Sequence, residues 1–175
     1  MSTNDTVLAL ANGQARNRPL AWDSPDFAIF QAALDRVTAA LARMIVKDGE
    51  GVSRFIDLQI TGARSDRDAR LAARAVANSM LVKCAWFGGD PNWGRIMDAV
   101  GYSGARIREN RIRIAYNGIP AVQGGMPALT PVSRLRAVAR KKEFTITVDL
   151  GLGSGSFRIW TTDLTPKYVE FNMGE

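Results

Sequence analysis

Histidine is absent from the 175 residues, and cysteine occurs once, at Cys84. Without histidine, Ser-His and Cys-His nucleophile pairs and the ordinary zinc ligand sets are excluded. A single cysteine excludes an intrachain disulfide and a cysteine metal cluster. Lying between Lys83 and Ala85 in an apolar stretch, Cys84 is expected to be a small buried hydrophobe rather than a nucleophile. No apolar run approaches the roughly 20 residues that span a bilayer, and the N-terminus lacks the basic-then-apolar pattern of a secretory leader. A soluble, cytoplasmic protein with no membrane partner is therefore expected.

Aromatic residues are also scarce, at 8%. This bears on the charge of +6 and the pI near 10.0, which would otherwise suggest a phosphate backbone as partner. Arg106, Arg108, Arg111 and Arg113 form one cluster, and Arg134, Arg136, Arg140, Lys141 and Lys142 another. Neither is interleaved with the stacking aromatics of a single-strand binder, so no nucleic acid is expected. A solvated face, or attraction for a small anionic substrate, accounts for them better.

What is present is a periodicity. At 46% hydrophobic the chain can bury one sizeable core, so residues 1–175 are expected to form one domain, or one half of a larger one. Ala9-Leu10-Ala11 reads as a short buried strand ending at Asn12-Gly13. Ser24 and Pro25 supply an N-cap and a first-turn proline, and Phe27, Phe30, Leu34, Val37, Leu41 and Met44 recur at helical spacing. That long helix should end near Gly49. Ile56, Leu58 and Ile60 alternate with polar residues, as a strand with one buried face would. Ser65 and Asp68 resemble a capping box for a helix whose apolar side carries Leu71, Ala72, Ala75 and Val76.

Further along, Asp90-Pro91-Asn92-Trp93-Gly94-Arg95 gathers residues with strict individual demands, and a helix is expected to start at Pro91 with Asp90 as its cap. Asn117-Gly118 marks a hairpin, Thr130-Pro131 a short basic helix, and 144–148, 157–160 and 168–171 three strands. Gly151-x-Gly153-x-Gly155 leads into a strand rather than a helix, so it cannot hold a pyrophosphate at a helix N-terminus. The expected class is α+β, with layered helices and mixed sheets.

The Asp90–Arg95 run has company in Ser2-Thr3-Asn4-Asp5-Thr6-Val7, Leu10-Ala11-Asn12-Gly13, Asp48-Gly49-Glu50-Gly51, Leu81-Val82-Lys83 and Asp163-Leu164-Thr165 with Tyr168-Val169 and Asn172. In this order, across nearly the whole chain, these runs resemble the C-terminal (β) chain of ornithine acetyltransferase, the bifunctional glutamate N-acetyltransferase of arginine biosynthesis. The resemblance implies a self-processing fold that moves acetyl from N-acetylornithine to glutamate through an acetyl-threonine, with no metal or organic cofactor. Its implied partners are the α chain and the remainder of the β chain in a hetero-oligomer.

Two residues become candidates for substrate binding. Glu50, between two glycines, can project a carboxylate from a turn, and the resemblance implies that it contacts substrate, where an ornithine-like ammonium would suit its charge. Asn172 offers both donors and an acceptor, and the family's closing Tyr-Val-x-x-Asn pattern places a substrate-contacting asparagine there. The family's further contact, a terminal Ser or Thr, has no counterpart before Glu175, and Met80 stands where the family commonly has proline.

No catalytic residue is assigned. The family's threonine nucleophile lies upstream of the Ser-Thr-Asn-Asp-Thr motif, here preceded only by Met1, so this chain alone is expected to be inactive. Thr3 and Thr6 read as a polar turn rather than as substitutes. Two other readings stand beside the acetyltransferase: a non-catalytic basic binding or structural subunit, and a related self-processing amidase or aminopeptidase.

Overall fold

Serine 24 accepts a hydrogen bond from the Phe27 amide and Pro25 follows at the first helical position, which starts helix α1, Pro25–Lys47. In the computed structural model, which describes residues 6–173, this helix belongs to the first of two compact units, Met1–Gly49 and Glu50–Glu175. The Ser2–Asp5 part of the first motif lies outside the described residues. None of the α1 side chains is buried. The expected strand at 9–11 is not formed: residues 6–12 have no regular structure and Leu10 is 95% exposed. An apolar run of this kind needs a neighbouring strand to pair with, and the described residues of its unit provide none.

The second unit is built on strands β1 (Phe55–Ala63), β2 (Arg113–Tyr116), β3 (Ile119–Gln123), β4 (Met126–Pro127), β5 (Glu143–Asp149) and β6 (Gly155–Thr162), and on helices α2 (Asp66–Asn78), α3 (Met80–Gly88), α4 (Trp93–Gly101), α5 (Val132–Ala139) and α6 (Pro166–Phe171). The strands form one sheet in the order β4-β3-β2-β5-β1-β6. β1 and β5 run parallel and the other neighbours antiparallel, giving the mixed sheet of an α+β protein.

Alternation decides which face is covered. Ile56, Leu58 and Ile60 of β1 are buried beside Phe144, Ile146 and Val148 of β5 and Ile114 and Tyr116 of β2. The intervening Asp57, Gln59, Thr145 and Thr147 lie half-buried on the opposite face. There Arg158 on β6 donates to both carboxylate oxygens of Asp57, at 2.8 and 2.7 Å. Over the apolar face lies α2, capped by Ser65 as expected. Its buried residues are Ala69, Ala72, Ala73, Val76 and Ala77, whose small side chains let the helix approach the sheet, while Leu71 is exposed. Asn117 and Gly118, both with positive φ, turn the β2–β3 hairpin.

Three other expectations are corrected. Residues 168–171 lie in helix α6 rather than in a strand, because Thr165 is extended and Pro166 opens a helical turn. α4 begins at Trp93 with Asn92 as its cap, not at Pro91 with Asp90. The Asp90 amide bonds the Ala85 carbonyl and so belongs to the end of α3. Cys84 is exposed, since Val82, Ala85 and Trp86 form the inward side of α3.

Candidate functional site

Glu50 opens the short segment that leads into β1, and Asn172 closes α6 at the other end of the sequence. The two meet. Asn172 Nδ2 donates to Glu50 Oε2 at 3.3 Å and to the Tyr168 carbonyl at 2.6 Å. Both side chains are exposed, so the carboxylate's remaining oxygen and the amide's acceptor oxygen stay open to a ligand.

The meeting depends on the backbone next to it. Gly51 has φ +66°, and a Cβ there would stand 2.8 Å from Lys167 Cβ and 2.9 Å from Thr165 Oγ1. Only glycine lets the turn lie this close to α6. Thr165 Oγ1 donates to the Gly51 carbonyl at 2.8 Å, joining the first residue after Glu50 to the residue before α6.

Asp163 fixes the next step. Its carboxylate, fully buried, accepts from the amides of Ser53 and Arg54, each at 3.0 Å, and from the Ser53 hydroxyl. The Arg54 guanidinium lies 3.7 Å from the same carboxylate and also donates to the Phe87 carbonyl. From α3, Lys83 Nζ donates to the Thr162 carbonyl, to Thr162 Oγ1 at 3.3 Å and to Thr161 Oγ1 at 3.4 Å. Burial pulls the Lys83 ammonium below its ordinary pKa, and the nearby Asp163 charge opposes that shift. Residues 50–54, α3 and the segment 161–172 are thereby fastened together. Beside them lies a cavity of about 320 Å³ lined by Gly51, Ser53, Phe87, Thr165 and Lys167 among others.

Sequence reasoning named Glu50 and Asn172 but gave no role to Lys83, Asp163 or Thr165, which hold the backbone that carries them. Their runs stood out only as parts of a motif; the partners of Asp163 lie about 110 residues away. The Asp90–Arg95 run is a corner between α3 and α4. Asn92 Oδ1 accepts from the Arg95 amide at 3.2 Å, Asn92 Nδ2 donates to Asp90 at 3.0 Å, and Arg95 donates to the Leu81 carbonyl at 2.7 Å. Of the basic clusters, Arg113 pairs with Asp149 at 3.7 Å and Arg111 donates to the Gly151 carbonyl at 3.2 Å.

A mixed sheet layered with helices, with an acidic turn latched to a C-terminal helix, defines an α+β protein whose two chain regions of interest meet at one exposed polar pair. The sequence profile of the ArgJ family matches residues 1–174, and the chain belongs to that family. It is 50% identical over 173 residues to the "Arginine biosynthesis bifunctional protein ArgJ" of Geobacter sulfurreducens, covering 98% of this chain and 44% of that protein. With the mitochondrial protein of that name from Schizosaccharomyces pombe it shares 39% identity over 179 residues, covering 98% of this chain and 40% of that one. A crystal structure of the Bacillus halodurans protein matches with a TM-score of 0.92 at 38% identity, covering all of this chain and 83% of that chain. The chain thus spans less than half the length of these two curated relatives. Among the described residues, no helix is long and apolar enough to cross a membrane.

Proposed function

We propose that this chain is the substrate-binding, C-terminal part of an enzyme that moves acetyl from N2-acetyl-L-ornithine to L-glutamate in arginine biosynthesis. The observation that carries the reading is the approach of Asn172 to Glu50 at 3.3 Å, beside a cavity, in a chain of the ArgJ family. In this reading Glu50 accepts from the ornithine ammonium, a charge-assisted contact. Asn172 orients the amino-acid backbone of the substrate through its amide. The reading treats residues 1–175 as one domain of a cytoplasmic hetero-oligomer whose α chain and remaining β chain carry the reacting groups.

The chemistry then divides between the parts. A threonine Oγ from outside this chain attacks the acetyl carbonyl as its proton passes to that threonine's own amine, and the amine then hands that proton to the departing nitrogen, so that the C–N bond breaks and ornithine leaves as the free amine. Glutamate's amine next attacks the acetyl-threonine, and the threonine hydroxyl is restored. Oxyanion stabilisation also comes from outside the chain, and its loss alone costs about 10²–10³ in rate.

The purified chain should therefore transfer no acetyl from N-acetylornithine to labelled glutamate above the buffer rate. Supplied with the rest of a family member, it should support transfer. Turnover by the chain alone would overturn the reading, and acetate release without acetylglutamate would favour the amidase alternative.

A further inference from the structure

One stripe of α2 is built from arginines that no carboxylate of the chain neutralises. Arg67, Arg70 and Arg74, all exposed, follow one another at three- and four-residue spacing. With Asn78 and, from just beyond α4, Tyr102, they line an open groove of about 630 Å³. Among the described residues, none of the three forms an ion pair and no carboxylate lines the groove. The acids nearest in sequence are placed otherwise: Asp66 accepts from the Ser156 amide at 2.9 Å, and Asp68 is half-buried. Elsewhere the chain does pair its arginines, as Arg158 with Asp57 and Arg113 with Asp149. Like charges three and four residues apart on a helix repel, and Arg67, second in α2, also stands at the positive end of the helix dipole. The arrangement weakens α2 and is relieved only by an anion from outside. Arg70 is held ready for one by the Phe157 ring, 6.0 Å from its guanidinium carbon.

Size and shape narrow the anion. At 1.5 Å per residue, the first and last arginine are separated by about 10 Å along the helix, too far for one carboxylate or one phosphate to serve all three. Guanidinium forks match phosphate oxygens two at a time. Tyr102 is 60% exposed, and its ring makes no ring contact among the described residues, so it offers a flat surface to a base. Asn78 adds neutral donors and an acceptor. We propose that this groove binds a nucleoside triphosphate, with Arg67, Arg70 and Arg74 on the phosphates, Tyr102 stacked on the base and Asn78 at the base's polar edge. A strand of nucleic acid would need aromatics repeated along its path, and here one ring serves one base. An acidic peptide would leave Tyr102 without a role. The inference goes beyond acetyl transfer and stands whether or not that reading holds.

The test titrates ATP into the full chain by calorimetry, in about 0.1 M salt with EDTA. ATP should bind with a Kd below about 100 μM. Arg70→Ala and Arg74→Ala should each weaken it at least about tenfold, the loss of a charge-assisted contact. Tyr102→Ala should weaken ATP at least about fivefold yet leave inorganic triphosphate within about twofold, because stacking belongs to the base alone. Arg134→Ala, on α5, should leave ATP binding within about twofold. The location is also read without any variant. Phenylglyoxal, which modifies exposed arginines, should label Arg67, Arg70 and Arg74, and ATP should slow that labelling at least about fivefold, as expected for a site mostly occupied, while Arg134 reacts as in the free chain. A Kd above about 1 mM overturns the inference, as does an Arg134→Ala effect equal to that of the groove variants, which would mean general charge attraction. Displacement of ATP by polyglutamate at equal charge would assign the groove to an acidic segment instead. Inorganic triphosphate binding as tightly as ATP, with Tyr102→Ala silent, would overturn the nucleoside assignment.

Discussion

Replacing Asp163 with alanine should loosen the base of the Glu50–Asn172 pair more than any other single change in the second unit. The carboxylate receives two backbone amides at 3.0 Å and the Ser53 hydroxyl, and it faces the Arg54 guanidinium at 3.7 Å. Water can reach Ser53, whose hydroxyl therefore finds a new partner at little cost. The amides and a guanidinium only 16% exposed cannot be so easily re-solvated, and a buried group left without its partner costs about 1–3 kcal/mol. Because one carboxylate serves all of them, the losses do not add in full, and a total of about 3–5 kcal/mol is expected. Asp163→Asn keeps an acceptor for the amides but surrenders the charge, and should cost about 1–2 kcal/mol. Urea unfolding with an unchanged m-value measures both. An alanine variant within about 0.5 kcal/mol of the parent, or an asparagine variant as unstable as the alanine one, would refute the idea that this carboxylate ties the Glu50 segment to the C-terminal one.

Gly51→Ala forces a side chain into a φ of +66° and against Lys167 and Thr165, so it should destabilise by about 2–4 kcal/mol and speed proteolysis within 165–173. Tyr116 is buried with its hydroxyl lacking a partner among the described residues, and Tyr116→Phe should raise unfolding stability by about 1 kcal/mol. Burial, and secondarily the Asp90 charge, hold the Tyr116 phenol above its usual 10.0, so the folded state keeps a proton that the unfolded state releases. Stability is then full below pH 10 and falls as pH climbs above it, and the Phe variant should lose that part of the decline. Lys83 acts in the opposite sense: its folded pKa lies below the usual 10.5, so stability rises as pH approaches 10.5 from below, and Lys83→Met should flatten that rise in pH-dependent unfolding curves.

Local signals were legible where one short stretch contains both cause and effect. Ser24-Pro25 starts α1, Ser65 caps α2, and Asn117-Gly118 makes the hairpin, each within four residues. Tyr168 and Val169 suggested a strand because aromatic and β-branched residues favour one, yet Pro166 carried the better signal and the backbone followed it. Asn92 rather than Asp90 caps α4: Asn92 Oδ1 accepts from the Arg95 amide, while the Asp90 carboxylate accepts from Asn92 Nδ2 and the Asp90 amide bonds the Ala85 carbonyl at the end of α3, partners that spacing does not reveal. Within the site, the family motif brought Glu50 and Asn172 to notice, but their juxtaposition needs a sheet that sets β1 beside β6. Asp163, Lys83 and Thr165 went without roles for the same reason, since each works through partners between 78 and 114 residues away.

The central claim, that Glu50 binds substrate with Asn172 beside it, is tested most directly by Glu50→Gln in a complete, active family enzyme carrying this chain. The substitution keeps the size of the side chain and an oxygen within reach of Asn172, while removing the charge offered to a substrate ammonium. Steady-state acetyl transfer should then show kcat/KM for N-acetylornithine lowered about ten- to a hundred-fold or more, as expected for loss of one charge-assisted contact, with unfolding stability unchanged. Kinetics equal to the parent for both N-acetylornithine and glutamate would contradict the assignment and leave Glu50 as a turn residue that merely meets Asn172.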